Sequence, residues 1–500
     1  MTGAQKMSPL DASFLHLETR YTHMHIGGAA VFERSPLGSG EKLHQAIVRA
    51  IEPRLDLMPR YRQKVAFLPL SLDTPVWIDD AEFDIDNHIV RAALPRPGGD
   101  RELQQFIARV FSRQLDRRRP LWEMYIIEGL KDGRWALLFK THHAMVDGIS
   151  NLELVTVLLD TDSEFRGDDT AAESTWEPTS EPTSLDLLVS SLRERLLRPQ
   201  RLLSSARAVA GKPGRLAKAL RDTASGLAAV AETIRAPRSI INGPTGPTRA
   251  YRFSRFPLQD FKLIKDTFGG TINDVVLAAV SGGLRHYLMA HEVDPDDPES
   301  ALQALCPVSI RDDTEKTALG NRLALLLVKL PIDEANSETR LSRVRATVDR
   351  LKARKQAVGA DFLLNLAGFA PSTLHAMVAR ASVRQIGFNL IVTNVPGPQF
   401  PLYFRGARLV EAFPVAFLYE GQRLAIAIFS YMGWLNFGYL TDAHGVPDVD
   451  LIARSVERSF KDLVRGARRR QELNAEIETG AGAPPAAATP RRSRTTARRR

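Results

Sequence analysis

The sequence predicts a mixed α/β (α+β) protein of two globular units joined by a helical linker, and three observations lead there. The chain has 500 residues, more than one hydrophobic core usually organises. Strand-like apolar runs and helical spacings are interspersed in both halves. Between the halves the charge swings abruptly. Asp160 to Glu181 holds eight acidic residues and one basic, and Asp186 to Arg238 holds eleven basic and four acidic.

Taken in order, residues 1–160 make the first unit. Val65 to Leu68, Val76 to Ile78 and Ala136 to Lys140 have strand character, and Glu102 to Leu115 and Ile149 to Leu159 have helical spacing. Residues 161–248 form the linker, first acidic and solvated, then basic and helical. Its leucines 185, 188, 192 and 196 lie on one stripe. Residues 249–464 make the second unit, with strands at Cys306 to Ile310, Leu323 to Leu330, Leu390 to Thr393 and Leu424 to Phe429. Its helices are Thr271 to Met289 and Leu341 to Ala357. Residues 465–500 read as a disordered Arg-rich tail, too poor in apolar surface to fold alone.

Composition narrows the function. The formal charge is +9, but 465–500 carries ten Arg against three Glu and so accounts for +7 of it, leaving about +2 for the rest. A nearly neutral body gives no case for nucleic-acid binding. One cysteine, Cys306, excludes a disulfide framework and a cysteine-based zinc site, and fits a reducing cytosol. Cys306 sits in an apolar run and reads as a buried, inert thiol. Residues 1–19 show no signal-peptide pattern. The long apolar run from Arg423 to Asp442 is interrupted by Gly433, Asn436 and Gly438, so it reads as a hairpin of two buried strands with a turn near Ser430 to Trp434. The expected protein is cytoplasmic, with at most peripheral contact with a membrane or lipid inclusion.

The segment that carries chemistry runs from Trp135 through His142, His143, Asp147 and Gly148 to Ser150. An apolar strand ends, two histidines follow, and a helix begins. An imidazole with a pKa near 6.5 accepts a proton at neutral pH without much tuning. An acyl thioester already has a good leaving group, so deprotonating an attacking hydroxyl and stabilising the oxyanion would suffice. Read alone, a His-His pair is more often a packed or hydrogen-bonded feature than a catalytic one. Metal binding with Asp147 is a third reading, for which no further ligand set is evident. The sequence has no Gly-x-Ser-x-Gly elbow, phosphate-binding loop or dinucleotide fingerprint.

The histidine motif resembles that of the coenzyme-A-dependent acyltransferases, the superfamily of chloramphenicol acetyltransferase and the peptide-synthetase condensation domains. The other motifs resemble the bacterial wax ester synthase/diacylglycerol acyltransferase family. They are Ser8-Pro-Leu-Asp11-Ala-Ser-Phe14-Leu, Met24 to Gly28, Arg119-Pro120-Leu121-Trp122-Glu123, Asn242-Gly-Pro244 and Thr271-Ile-Asn273-Asp274-Val. Further along come Pro307-Val-Ser309-Ile-Arg311, Gly320-Asn321 and Thr393-Asn394-Val-Pro-Gly-Pro398.

This resemblance, over roughly residues 8–463, implies two chloramphenicol-acetyltransferase-like domains with an active-site channel between them. It implies one active site per chain, with His143 as general base, His142 and Asp147 supporting, and Gly148 in the loop. Pro120, Leu121, Trp122, Asn273 and Asp274 are channel or structural positions. A helix start at Asn273-Asp274 equally reads as a cap. The implied reaction moves a long-chain acyl group from acyl-CoA, a co-substrate, to diacylglycerol, with no bound cofactor and no metal. A long-chain alcohol, giving wax ester, is the alternative acceptor. A carrier-dependent condensation module lacks an adjacent carrier site, and a lipid-inclusion coat would leave the histidine motif without a task.

Overall fold

The structure, a computed structural model, describes residues 4–68, 74–145, 158–164, 176–183, 185–187, 189, 238–309, 323–353 and 387–478. The first half contributes β1 (Gln5–Lys6), α1 (Pro9–Leu17), β2 (His25–Phe32), α2 (Glu41–Ile51), β3 (Gln63–Ala66) and β4 (Val76–Asp79). It continues with β5 (Ile89–Ala93), α3 (Asp100–Phe111), β6 (Trp122–Glu128) and β7 (Trp135–His142). The second half contributes β8 (Arg249–Pro257), α4 (Leu258–Phe268), α5 (Ile272–Ala290), β9 (Leu302–Ser309), β10 (Leu323–Leu330) and α6 (Ser337–Ala353). Then come β11 (Leu390–Val395), β12 (Tyr403–Phe404), β13 (Ala407–Val415), β14 (Leu424–Tyr431), β15 (Trp434–Asp442) and α7 (Val449–Glu478).

Two six-stranded sheets organise these elements. The first has the order β12-β13-β2-β7-β6-β5 and the second β10-β9-β11-β14-β15-β8, while β1, β4 and β3 form a small third sheet. The expected hairpin at 423–442 is β14–β15, closed by a two-residue turn with positive φ at Met432 (46°) and Gly433 (80°). That geometry matches the twist of the flanking strands.

The first sheet does not respect the halves of the chain. Strands β12 and β13, from the segment assigned to the second unit, complete it by antiparallel pairing of β13 with β2. The two large sheets then meet face to face. Ala29, Val31, Ala136, Leu138, Phe413 and Val415 of the first pack against Tyr251, Phe253, Ala425, Ala427 and Leu440 of the second. A Cβ on Gly438 would lie 2.0 Å from the Pro414 carbonyl oxygen, so only glycine allows this approach of β15 to β13.

The other face of the second sheet is covered by α5, α6 and α7. Alternation along its strands serves both layers, with Ala304, Cys306, Leu326, Val328, Leu390 and Val392 facing the helices. Leu305, Leu325, Leu327 and Ile391 face the other way.

Two boundaries differ from the sequence expectation. The segment 465–478, assigned to the tail, is helical, because α7 runs unbroken to Glu478. Ala467 is fully buried, Arg468 pairs with Asp260 at 3.6 Å and Arg470 with Glu338 at 3.1 Å. The basic composition concealed a continuing helical stripe. The linker, assigned to 161–248, is also shorter than expected at its end. Ile241 lies in the core of the second unit, and Asn242 Nδ2 donates to the carbonyls of Asn389 and Gly421, each at 3.2 Å. Part of the acidic stretch lies on the first unit, where Thr179 N–H donates to Asp79 Oδ2 at 3.1 Å and Glu181 pairs with Lys64. The leucine stripe lies mostly outside the described residues. Among the described residues no helix is long and apolar enough to cross a membrane.

Candidate active site

The site is assembled from α1, the β2 start and the β7 end, with Phe417 from the second half against His143. Ser8 caps α1, accepting from Asp11 N–H at 3.1 Å and donating to Asp11 Oδ2 at 2.5 Å. One turn later, Phe14 stacks on the His143 ring at 4.1 Å between centroids. Strand β7 pairs with β2, His142 opposite His25, and the His143 N–H donates to the Met24 carbonyl at 2.8 Å. The chain leaving β13 brings Phe417 edge-on to His143 at 5.4 Å. The imidazole therefore sits between an aromatic ring from the first helix and one from near the end of the second unit.

The surroundings are apolar. Met24, Leu305, Leu327, Phe388, Ile391 and Phe417 form a buried cluster, with Phe14, Leu17, Ile26, Leu325 and Tyr419 packed against it. Burial lowers the His143 pKa to about 4, aided by the nearby His142 and opposed by a contact with its own backbone. At neutral pH the ring is uncharged and free to accept a proton. Its two ring contacts, Phe14 and Phe417, belong to this apolar cluster, an environment suited to a long acyl chain.

His142 turns the other way, into a polar interior. Its Nδ1 accepts the Ala144 N–H at 3.1 Å, and its Nε2 lies 3.6 Å from Glu18 Oε2. Glu18 Oε1 lies 3.6 Å from His25 Nε2, and Arg117 closes the cluster with Nε–H donating to Glu18 Oε2 at 2.9 Å. Burial would raise the Glu18 pKa, but His142 and Arg117 outweigh it and hold it at about 2. Lys140 is wholly buried, its ammonium donating to the Arg113 carbonyl at 2.7 Å and facing Glu123 at 3.4 Å.

The remaining expected residues are distributed as follows. Asp147 and Gly148 lie outside the described residues, as does Arg311. Leu121 and Trp122 are packed in the core, where Trp122 stacks on His88 at 4.5 Å and donates Nε1–H to the Tyr61 carbonyl at 2.8 Å. Pro120 is buried beside them, and the Leu121 carbonyl accepts the His142 N–H at 2.9 Å, so this segment backs the histidine loop. Asp274 closes a capping box with Thr271, the N-cap of α5. Asn273 Oδ1 accepts from Asn394 Nδ2 at 2.6 Å, joining two motifs 121 residues apart. Together with Cys306, Asn273 and Asp274 line a small cavity of about 20 Å³ on the helix side of the second sheet. Cys306 is buried, with its thiol pushed up to about 12. Among the described residues no group of His, Cys, Asp and Glu could hold a metal ion.

Sequence reasoning missed Glu18, His25, Arg117 and Phe417. Glu18 follows Phe14 by one helical turn and closes α1, a spacing that could have marked it. Nothing in the sequence connects Phe417 with position 143.

Fold and histidine loop together define an acyltransferase of the chloramphenicol acetyltransferase and condensation-domain type. Residues 7–276 match the wax ester synthase/diacylglycerol acyltransferase catalytic domain and residues 319–464 the corresponding C-terminal domain. The chain belongs to the wax ester synthase/diacylglycerol acyltransferase family. It is 34% identical over 469 residues to a probable diacylglycerol O-acyltransferase of Mycobacterium tuberculosis, covering 93% of this chain and 97% of that one. It is similar to the solved wax ester synthase/diacylglycerol acyltransferase of Marinobacter aquaeolei VT8, with 26% identity, a TM-score of 0.64 and coverage of 93% and 100%. The starter condensation domain of rhizomide synthetase, solved in complex with C8-CoA and Leu-SNAC, shares the fold at 14% identity and a TM-score of 0.53, with coverage of 93% and 95%.

Proposed function

We propose that this enzyme moves a long-chain fatty acyl group from coenzyme A to the free hydroxyl of diacylglycerol, forming triacylglycerol, with His143 as general base. The observation that carries the reading is the placement of His143: an uncharged imidazole at a strand end, held between Phe14 and Phe417, two members of an apolar cluster drawn from both sheets. In the reaction, the imidazole takes the proton of the acceptor hydroxyl as its oxygen attacks the thioester carbonyl. The tetrahedral intermediate collapses, the C–S bond breaks, and the proton on His143 passes to the departing thiolate. Direct transfer leaves no acyl group on the protein. His142 and Asp147 support the loop, and contact with a membrane or lipid-inclusion surface would supply the poorly soluble acceptor.

A long-chain alcohol presents the same hydroxyl on an apolar body and would give wax ester by the same steps. The test is thiol release from palmitoyl-CoA by purified protein, with dioleoylglycerol and hexadecanol offered separately. Triacylglycerol formation in excess of wax ester is expected. Turnover with hexadecanol alone would reassign the acceptor, and turnover with neither would overturn the reading.

A further inference from the structure

A buried carboxylate with two imidazoles around it is costly to maintain, because each ionised or polar group loses its water on folding. Glu18 is such a group. Only 7% of it is exposed, and His25 and His142, which face its two oxygens, are 2% and 1% exposed. If pairing with Arg117 were its whole purpose, the pair could sit at the surface, where the Arg117 side chain is still one-third exposed. Instead the carboxylate is drawn inward to His142. His142 Nε2 has no hydrogen-bond partner among the described residues, and the carboxylate oxygen in front of it, Glu18 Oε2 at 3.6 Å, is the one that Arg117 holds.

The hydrogen bonding of His142 fixes what this contact does. Because Nδ1 accepts the Ala144 N–H, it carries no proton. The ring proton is then on Nε2, toward the carboxylate. The opposite tautomer would set N–H against N–H at Ala144 and a lone pair against Glu18. Glu18 is anchored in turn, since Arg117 binds both its carboxylate and the Leu15 carbonyl at 3.2 Å. The chain of contacts runs Arg117, Glu18, His142, Ala144 N–H, and the last group is the peptide amide directly after His143.

We infer that Glu18 is a positioning residue for acyl transfer, which through the His142 imidazole fixes the backbone turn presenting His143. The inference rests on His143 being the base. Glu18 touches no reacting atom. It selects the His142 tautomer, the tautomer holds the Ala144 amide, and the amide sets the direction of the neighbouring ring.

The experiment uses the full chain labelled with ¹⁵N-histidine, reading the His142 tautomer from its ring nitrogen shifts at pH 7, beside kcat and KM for palmitoyl-CoA with dioleoylglycerol. Wild type should show Nε2–H. Glu18→Ala should show mixed tautomers and a kcat lower by roughly 10–100-fold, the scale of losing an outer orienting partner, with KM for palmitoyl-CoA nearly unchanged. Glu18→Gln, whose carbonyl still accepts from Nε2–H, should recover most of that loss. In a His142→Ala background, Glu18→Ala should add nothing further, as expected of two residues acting in series. A wild-type proton on Nδ1, an unchanged tautomer in Glu18→Ala, or additive losses would each overturn the inference. If Glu18→Ala does not fold, the wild-type tautomer and the Glu18→Gln kinetics decide. The tautomer needs no turnover, so it also separates failure of this inference from failure of the acceptor assignment.

Discussion

The two sheets use their buried strands for different purposes. In the first, β7 carries Lys140, Thr141 and His142 into the interior, each at most 1% exposed. These groups tie together α1, β2 and the loop around Arg117. In the second, the hairpin of β14 and β15 fills the layer between the sheets with Ala425, Ala427 and Leu440, and the helix-facing core with Ile426, Ile428, Leu435 and Phe437. Its buried polar groups join segments of the second half to one another, as when Asn389 Nδ2 donates to Asn242 Oδ1 at 2.8 Å. The contrast teaches where chemistry can be expected. Buried ionisable groups drawn from distant segments concentrate at functional sites, whereas apolar burial makes a scaffold. Here the scaffold also supplies Leu305, Leu327 and Ile391 to the apolar cluster that contains Phe417.

The comparison breaks most sharply at His143. His143→Ala should lower turnover by about 10²–10⁴ while the thermal transition stays close to that of wild type. A variant retaining more than roughly a tenth of wild-type turnover would remove the base assignment. The complementary change is Phe437→Ala in the second sheet, a fully buried ring packed against Phe256 at 4.7 Å. It should cost about 3–5 kcal/mol of stability, read from the urea midpoint. Activity per folded molecule should persist. A stable but inactive Phe437→Ala would mean that the second sheet does more than support.

Acidity sharpens the comparison further. The folded His143 value of about 4 lies below the 6.5 of an ordinary imidazole. The unfolded chain therefore binds this proton first, and its contribution to stability rises with pH between those values and is constant above 6.5. The acid limb of kcat/KM for the free enzyme should fall near pH 4, and a limb at 6.5 would show that the ring is more hydrated than its packing implies. The smallest expected effect is Cys306→Ser. With the thiol at about 12 and buried on the helix side of the sheet, activity should be retained and intact mass should show no acyl adduct during turnover. A trapped acyl group would contradict direct transfer.

Much of the site's chemistry was legible locally. The apolar run ending in His142 and His143 reads as a buried strand, and β7 is that strand. The hairpin at 424–442 followed from its glycines, and the helix read over Thr271 to Met289 is α5, although its N-cap is Thr271 rather than Asn273-Asp274. Such features depend on neighbours a few residues apart, where backbone geometry restricts what the chain can do. Other features depend on distant pairings that no local pattern encodes. Strand β13 hydrogen-bonds across the halves to β2 and so delivers Phe417 to His143. Glu18, His25, Arg117 and His142 become a cluster only when α1, β2, the loop before β6 and the end of β7 are brought together. The sequence alone indicated many of the elements, the histidine pair at a strand end and the apolar faces, because periodicity and turn chemistry are local. Tertiary structure alone decided which buried groups stand around the base, because desolvation and pairing are set by contacts between distant segments.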